Sequence, residues 1–153
     1  MKEKELLQDL LSENAQLRQT ATKALWDLWF SQAGEKAESR IRTGTKQMDR
    51  RQYELAQQEF ENLVMDYPKF AEAHNKLATV LYMQRKYVQS IRECQITLKM
   101  NPNHFGAWNG LGLCHYELAH YQKAIESFNT ALTLQPYADF NKVYIAKCRG
   151  QLN

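Results

Sequence analysis

The chain has 153 residues, a formal net charge of +3, and 44% hydrophobic and 11% aromatic residues. This length suits one compact domain, and the apolar share can supply a continuous core. Six glycines and three prolines leave few residues for the turns of a sheet protein. No segment approaches the ~20 apolar residues that cross a bilayer, and the first residues lack a signal-like hydrophobic stretch. We therefore expect an all-α, cytoplasmic protein with no membrane span, or an organelle-stroma protein if a transit peptide was removed.

The first segment, residues 3 to 34, predicts two helices. A short leucine stripe is followed by the capping side chains of Ser12 to Asn14, and a second apolar-periodic run continues to Trp29. Gly34 is expected to cap the second helix, because glycine tolerates positive φ at a helix C-terminus. One interpretation makes residues 1–34 an N-terminal two-helix cap that covers the otherwise exposed apolar edge of the first repeated unit after it.

The other interpretation of this segment makes it a docking surface. Trp26, Trp29 and Phe30 fall within five residues, so they cannot all point at one core face. Tryptophan is enriched at binding hot spots. The three aromatics are therefore secondary docking candidates.

Positive charge is concentrated between Lys36 and Arg51, which hold six basic and two acidic residues. Arg42, Lys46 and Arg50 follow at four-residue steps and share one helical face. This face is either solvated or a site for an anionic partner such as an acidic peptide, RNA or a lipid surface. The excess is local, which argues against nucleic acid as the partner.

An internal period organises the rest of the chain. Pro68, Pro102 and Pro136 stand thirty-four residues apart, a spacing typical of a helical-hairpin repeat. Proline cannot continue a helix, so each unit is expected to end there. Counted in register with the prolines, units begin at Ala37, Ala71 and Phe105, and a truncated unit begins at Asp139.

The unit that begins at Phe105 has the most regular pattern of large and small apolar residues. Gly112 and Ala124 are predicted to lie where its two antiparallel helices cross, with Phe128 filling the flank. The residues that carry the pattern are Trp108, Leu111, Gly112, Tyr121, Ala124, Phe128, Ala131 and Pro136.

This pattern resembles the tetratricopeptide repeat family, over about three quarters of the chain. The resemblance implies an α-α superhelix with three units, at 37–70, 71–104 and 105–138, and a C-terminal capping helix at 139–153. It also implies a non-catalytic protein-binding module, an adaptor or assembly factor, that holds a partner segment in its concave groove.

The resemblance places one set of residues in that groove, with an asparagine ladder and a tyrosine ladder one repeat apart. Amide side chains both donate to and accept from a peptide backbone, and tyrosine adds rigid apolar area. The predicted groove residues are Ile41, Thr45, Met48, Asn75, Thr79, Tyr82, Asn109, Leu113 and Tyr116. An alternative is that the tyrosines pack between hairpins and the asparagines are solvated.

Some members of the family capture the acidic tails of heat-shock chaperones with a clamp of paired basic and amide side chains. The matching places here hold Ile41, Thr45, Lys76, Gly106 and Gly110. On this comparison the sequence predicts that a chaperone tail is not the partner.

Catalytic and metal chemistry find no support in the sequence. The four histidines lie in no spacing typical of a catalytic triad or a metal site, so we expect no enzyme, no cofactor and no metal. The three cysteines are expected to be core thiols. Two alternatives to groove binding stay open: self-association, and an anionic partner on the Lys36–Arg51 stretch.

Overall fold

The computed structural model describes residues 2–153, which form nine helices and no strand. The helices are packed side by side as an all-α superhelix, which confirms the predicted fold class. They are α1 (Lys2–Asp9), α2 (Ala15–Phe30), α3 (Glu35–Asp49), α4 (Tyr53–Asp66), α5 (Ala71–Met83), α6 (Tyr87–Met100), α7 (Phe105–Glu117), α8 (Tyr121–Leu134) and α9 (Asp139–Leu152).

The helices repeat with the period of the sequence. Helices α5, α7 and α9 begin at the residues where units were predicted to begin, and the three prolines lie in the turns before them. The turns within the hairpins α3–α4, α5–α6 and α7–α8 also repeat. Each turn holds one non-glycine residue with φ near +60°: Arg51, Arg85 and Ala119, again thirty-four apart. Positive φ is uncommon for residues other than glycine, so its recurrence at equivalent places indicates that the three hairpins use the same turn conformation.

Glycine sets how closely the two helices of a hairpin approach. A Cβ on Gly112 would lie 2.6 Å from the Phe128 ring, and one on Gly44 would lie 2.5 Å from the Phe60 ring. Both phenylalanines are fully buried. The predicted helix crossing at Gly112 is thus a close contact between glycine and an aromatic ring, and the first hairpin repeats it.

The start of α2 agrees with the sequence prediction, whereas its end does not. Asn14 caps α2 as expected, because its side-chain oxygen accepts from the backbone N–H groups of Gln16 and Leu17. Gly34, however, does not cap α2, which ends at Phe30 with Ser31 as its cap. Gly34 instead immediately precedes α3 as its N-cap residue, with φ +95°, a backbone conformation that glycine adopts readily.

The first two helices lie elsewhere than predicted. The sequence placed them over the edge of the first hairpin, but α2 crosses the N-terminal ends of α5 and α7 and reaches the turn before α9. Leu10, Leu25 and Trp29 form one buried cluster with Phe105 of α7. Arg18 lies over the ring of Tyr137, 4.1 Å from its centroid. The apolar stripe of α2 therefore finds its partners in the third hairpin, and only the end of α2, at Phe30, packs against the first.

Candidate partner-binding groove

The concave surface is formed by α3, α5 and α7, and α2 divides it into two regions. We call the N-terminal ends of α5 and α7, where α2 lies, the covered region. We call the remainder toward the C-terminal ends of α3, α5 and α7 the open region. The covered region is thus formed by the first turns of α5 and α7, and the open region by the later turns of the same helices together with α3.

The covered region is built around Trp29, which is only 1% exposed. Its indole stacks on the ring of His104 with the centroids 4.4 Å apart, and its Nε1 donates to Glu3 Oε1 at 3.3 Å. His104 Nδ1 accepts from the backbone N–H of Ala107 at 3.1 Å and so caps α7. The ring proton is therefore on Nε2, which donates to Glu72 Oε2 at 2.6 Å. His104 joins three elements, namely α2, α5 and α7.

Glu72 is a fully buried carboxylate on α5, and its partners explain how it is tolerated there. Besides the bond from His104, its Oε1 accepts from Asn75 Nδ2 at 3.1 Å and lies 4.0 Å from Lys76 Nζ. A buried carboxylate without such partners would be costly. The network holds the N-terminal turns of α5 and α7 together beneath Trp29.

Trp26 closes the covered region on the side of α7. Its ring is edge-on to Phe105 at 5.4 Å and to His104 at 5.3 Å between centroids. A Cβ on Gly106 would lie 2.7 Å from the Trp26 ring, so only glycine leaves room for this indole. Lys76 lies over the rings of both Trp26 and Phe30, at 5.4 and 5.1 Å from their centroids.

The three aromatic residues predicted as docking candidates pack inside the fold. Trp29 is buried and Trp26 and Phe30 are half-buried against the repeats, so they are occupied within the chain. Two predicted groove residues are also buried: Ile41 in the core with Phe30 packed nearby, and Asn75 in the Glu72 network. Ile41 is therefore inaccessible to a partner, whereas Asn75 is 5% exposed and also lines the pocket between α5 and α7.

The other predicted groove residues lie in the open region and are partly exposed. They are Thr45, Met48, Thr79, Tyr82, Asn109, Leu113 and Tyr116. The tyrosines also pack within the fold: Tyr82 against Tyr87 at 5.6 Å, and Tyr116 against Tyr121 at 5.8 Å between centroids. Burial, and then the nearby Glu117, raise the pKa of Tyr82 to about 12, so its hydroxyl is neutral at pH 7.

A cavity of about 230 Å³ opens between α5 and α7 in the open region. Thr79, Tyr82 and Leu113 line its sides, and Ser90 and Cys94 of α6 form its floor. Gly106 and Gly110 leave the α7 wall without side chains. The predicted groove thus continues as a pocket that reaches the second layer of helices.

The basic stretch is partly neutralised within the chain. Arg40 bonds Asp66 at 2.7 Å, and Arg42 bonds Glu38 at 2.9 Å while stacking over Phe30. Lys46 and Arg50, the other two residues of the predicted face, are exposed.

Sequence reasoning missed the Glu72–His104 pair and the pocket beside Gly110. Two signals were present. A glutamate lies between two alanines in the first turn of α5, and α7 carries two glycines on its groove side, Gly106 and Gly110, beyond the one that the hairpin crossing needs. Neither signal specified which residue would occupy the space.

Two family models for the tetratricopeptide repeat match the chain, at residues 41–95 and 106–137, and together they cover more than half of it. The helical hairpins follow the same period. The chain belongs to the tetratricopeptide repeat family. A curated relative, the tetratricopeptide repeat-containing protein trd-1 of Caenorhabditis elegans, is 26% identical over 66 residues, which are 43% of this chain and 9% of that protein.

Solved tetratricopeptide repeat structures share the fold. The first TPR of Spaghetti (RPAP3), bound to HSP90 peptide SRMEEVD, is similar with a TM-score of 0.75 and 17% identity, over 76% of this chain and 93% of that chain. The second TPR domain of human RPAP3, in complex with HSP70 peptide SGPTIEEVD, has a TM-score of 0.70 and 18% identity, over 74% of this chain and 94% of that chain. At these identities the likeness establishes the fold.

These structures correct one prediction. The sequence comparison excluded chaperone tails as partners, yet domains with this fold are bound to peptides of HSP90 and HSP70. The exclusion is therefore wrong. It compared five side chains with a fixed pattern, whereas the concave surface of a repeat array offers a peptide many other contacts.

Among residues 2–153, no helix is both long enough and apolar enough to span a bilayer.

Proposed function

We propose that this chain is a non-catalytic protein-binding module that holds a segment of a partner polypeptide in the open region of its groove, as an adaptor or assembly factor. The observation that carries this proposal is a concave surface that is apolar, partly exposed and connected to a pocket of about 230 Å³. Its side chains offer aromatic area and hydrogen-bonding groups, which suit a polypeptide.

The position of the segment follows from the covered region. Because α2 fills the N-terminal ends of α5 and α7, a partner segment has access to the C-terminal ends of α3, α5 and α7. The residues that would contact it are Thr45, Met48, Thr79, Tyr82, Asn109, Leu113 and Tyr116. Peptide-bound domains with the same fold support a polypeptide as the class of partner.

The proposal is tested with defined peptides. Labelled SRMEEVD and SGPTIEEVD peptides and a phage-displayed library of random peptides are offered to the protein, and affinities are measured by fluorescence anisotropy. We expect peptides that bind the wild type to lose about tenfold in affinity with Tyr82→Ala and with Tyr116→Ala, because both remove aromatic contact area.

Tyr137→Ala is the matched control, since it removes a tyrosine that is exposed and lies outside the open region. It should leave the affinities unchanged, and circular dichroism checks that all variants stay helical. If the library yields no binding peptide, or if Tyr82→Ala and Tyr116→Ala bind as well as the control, groove binding is wrong.

A further inference from the structure

We infer that the turns of the first two hairpins form a surface that docks on an anionic phospholipid membrane. This surface, which we call the turn edge, consists of residues 49–55 and 83–89, where α3 is followed by α4 and α5 by α6. The inference goes beyond the proposed function, because it assigns a second partner to residues other than the proposed groove contacts. It is carried by the basic residues of the turns, by exposed aliphatic side chains among them and by a cavity between the two turns.

Arginine occupies the residue with positive φ in both turns. Arg51 and Arg85 each have φ +62°, a conformation that is uncommon for residues other than glycine. Both are exposed, and each has an exposed basic neighbour in the sequence, Arg50 and Lys86 respectively. Among residues 2–153, no carboxylate lies within 4.0 Å of any of these four cationic groups. The third hairpin has Ala119 at the same place, so the arginine is a feature of the first two turns.

Two acidic residues reduce the positive charge of the turn edge only in part. Asp49 is the last residue of α3, and Glu54 lies in the first turn of α4, where the helix macrodipole stabilises a carboxylate. The second turn has no acidic residue between positions 83 and 89. The remaining excess of basic groups is attracted to anionic lipid headgroups.

Aliphatic side chains are exposed beside these charges. Leu55 is 49% exposed, Met83 47% and Val88 56%, and each lies within four residues of Arg51 or Arg85 in the sequence. Aliphatic groups gain from burial at the boundary between headgroups and acyl chains, while basic groups on the same surface contact the phosphates. None of the three is aromatic, whereas single-stranded nucleic acids are bound through stacking on aromatic rings. The composition of the turn edge therefore favours lipid over RNA.

A cavity of about 680 Å³ opens between the two turns. It is lined by Arg51 and Gln52 of the first turn and by Gln84 of the second. Gln84 Nε2 donates to Gln57 Oε1 of α4 at 2.7 Å, which holds the second turn against the first hairpin. The guanidinium of Arg51 and the amide of Gln52 provide N–H donors for the oxygens of a lipid phosphate. Glu54 also lines the cavity, and its carboxylate suits the ammonium group of a serine headgroup.

Vesicle sedimentation with the full chain tests the inference. The protein is mixed with phosphatidylcholine vesicles that contain about 30% phosphatidylserine, and with pure phosphatidylcholine vesicles, at about 0.1 M salt. We expect binding to the anionic vesicles alone. Raising the salt to about 0.5 M should weaken that binding by about tenfold or more, because the headgroup charges are then screened.

The contribution of the arginines is tested by the double variant Arg51→Asn, Arg85→Asn. Asparagine tolerates positive φ better than most residues, so the variant removes both charges and keeps the turns. It should lower the affinity for anionic vesicles by about tenfold or more. The matched control is Lys69→Asn, Lys99→Asn, which removes two exposed charges from the turn before α5 and the last turn of α6. It should change the affinity by less than about twofold.

The aliphatic contribution is tested by Leu55→Gln, Val88→Gln. This double variant should lower the affinity for anionic vesicles by about fivefold, because it removes apolar area that the membrane would bury. Met65→Gln is the control, since Met65 is 79% exposed and lies at the other end of α4. It should leave the affinity unchanged, and circular dichroism checks that every variant stays helical.

The outcomes decide between lipid and other anionic partners. No binding to anionic vesicles, or binding that is unchanged in Arg51→Asn, Arg85→Asn, overturns the inference. A single-stranded RNA that competes fully with the vesicles, together with no effect of Leu55→Gln, Val88→Gln, would assign the turn edge to nucleic acid and also overturn it. The vesicle experiment contains no peptide, so failure of groove binding leaves this inference intact and the reverse is also true.

Discussion

Asn75 and Asn109 occupy the same place in adjacent units and both line the pocket between α5 and α7, yet only Asn75 belongs to the hydrogen-bonded network of the covered region. Asn75 is buried and donates to Glu72, whereas Asn109 leaves Oδ1 without a partner. The covered region has satisfied its polar groups within the chain, and the open region has not. In a repeat protein, equivalent places therefore need not have equivalent roles, and hydrogen bonding distinguishes a structural residue from one available to a partner.

The variant Trp29→Ala is expected to have the largest effect on the free energy of unfolding. The indole is 1% exposed and packs with Leu10, Leu25 and Phe105, so its removal should lower the free energy of unfolding by about 3–5 kcal/mol. Urea denaturation measures this loss, and hydrogen exchange should show that α2 loses protection first. A loss smaller than that of Tyr82→Ala in the open region would contradict the division of the groove.

Two glycines of α7 provide a matched pair across the boundary. Gly106→Ala places a methyl group 2.7 Å from Trp26, which is held by Phe105 and His104, and should destabilise by about 1–3 kcal/mol. Gly110→Ala meets only an ordinary contact, so the better helix propensity of alanine should leave stability unchanged or raise it by up to about 1 kcal/mol. Thermal and urea unfolding of both variants give the comparison, and equal effects would show that α2 does not restrict Gly106.

The asparagines themselves give a smaller difference. Asn75→Ala removes one of the donors to the buried Glu72 and should cost about 1–2 kcal/mol. Asn109→Ala removes a buried acceptor that has no donor among the described residues, so stability should stay the same or rise slightly. Equilibrium unfolding under identical conditions measures both changes. A large loss with Asn109→Ala would mean that this residue is structural and would count against its proposed role in binding.

These pairs also show what could be predicted from the sequence. The hairpins were predictable, because the crossing at Gly112 and the turns before Ala71 and Phe105 depend on neighbours close in the chain. The location of α2 was not, because its leucine stripe indicates burial but does not identify the surface that buries it. That surface includes His104 and Phe105, more than two repeats further along the chain.

The groove residues were likewise predicted in part. Their places within each unit put Tyr82, Asn109 and Leu113 on the concave side, and these three line the pocket. The same rule chose Ile41 and Asn75, which the structure buries, since it contains no information on the helix that crosses the groove.

The smallest expected effect concerns pH and contrasts His104 with His115. His104 has a carboxylate partner, whereas His115 Nδ1 is buried without a partner among residues 2–153. Burial, with smaller contributions from His120 and Lys123, lowers the pKa of His115 below its ordinary value of 6.5. The neutral ring is thus favoured in the folded state, and this stabilisation is complete above pH 6.5 and is lost as the pH falls through the lowered pKa.

Wild type and His115→Gln can be compared by urea unfolding at about pH 7.5 and about pH 5.5, on either side of the ordinary histidine pKa. The wild type should lose more stability on acidification than the variant. An identical pH dependence in both proteins would mean that another group is responsible.

The stacking of Trp29 on His104 has a consequence for how the chain folds. In repeat arrays each unit contacts only its neighbours, so folding can begin anywhere and the ends can fray independently. Here a helix near the N-terminus is fastened to residues that a ribosome makes more than two repeats later. Helix α2 can reach its final position only after the third hairpin has been synthesised. Once in place, it connects the two ends of the array into one cooperative unit, so neither terminal hairpin is expected to unfold independently.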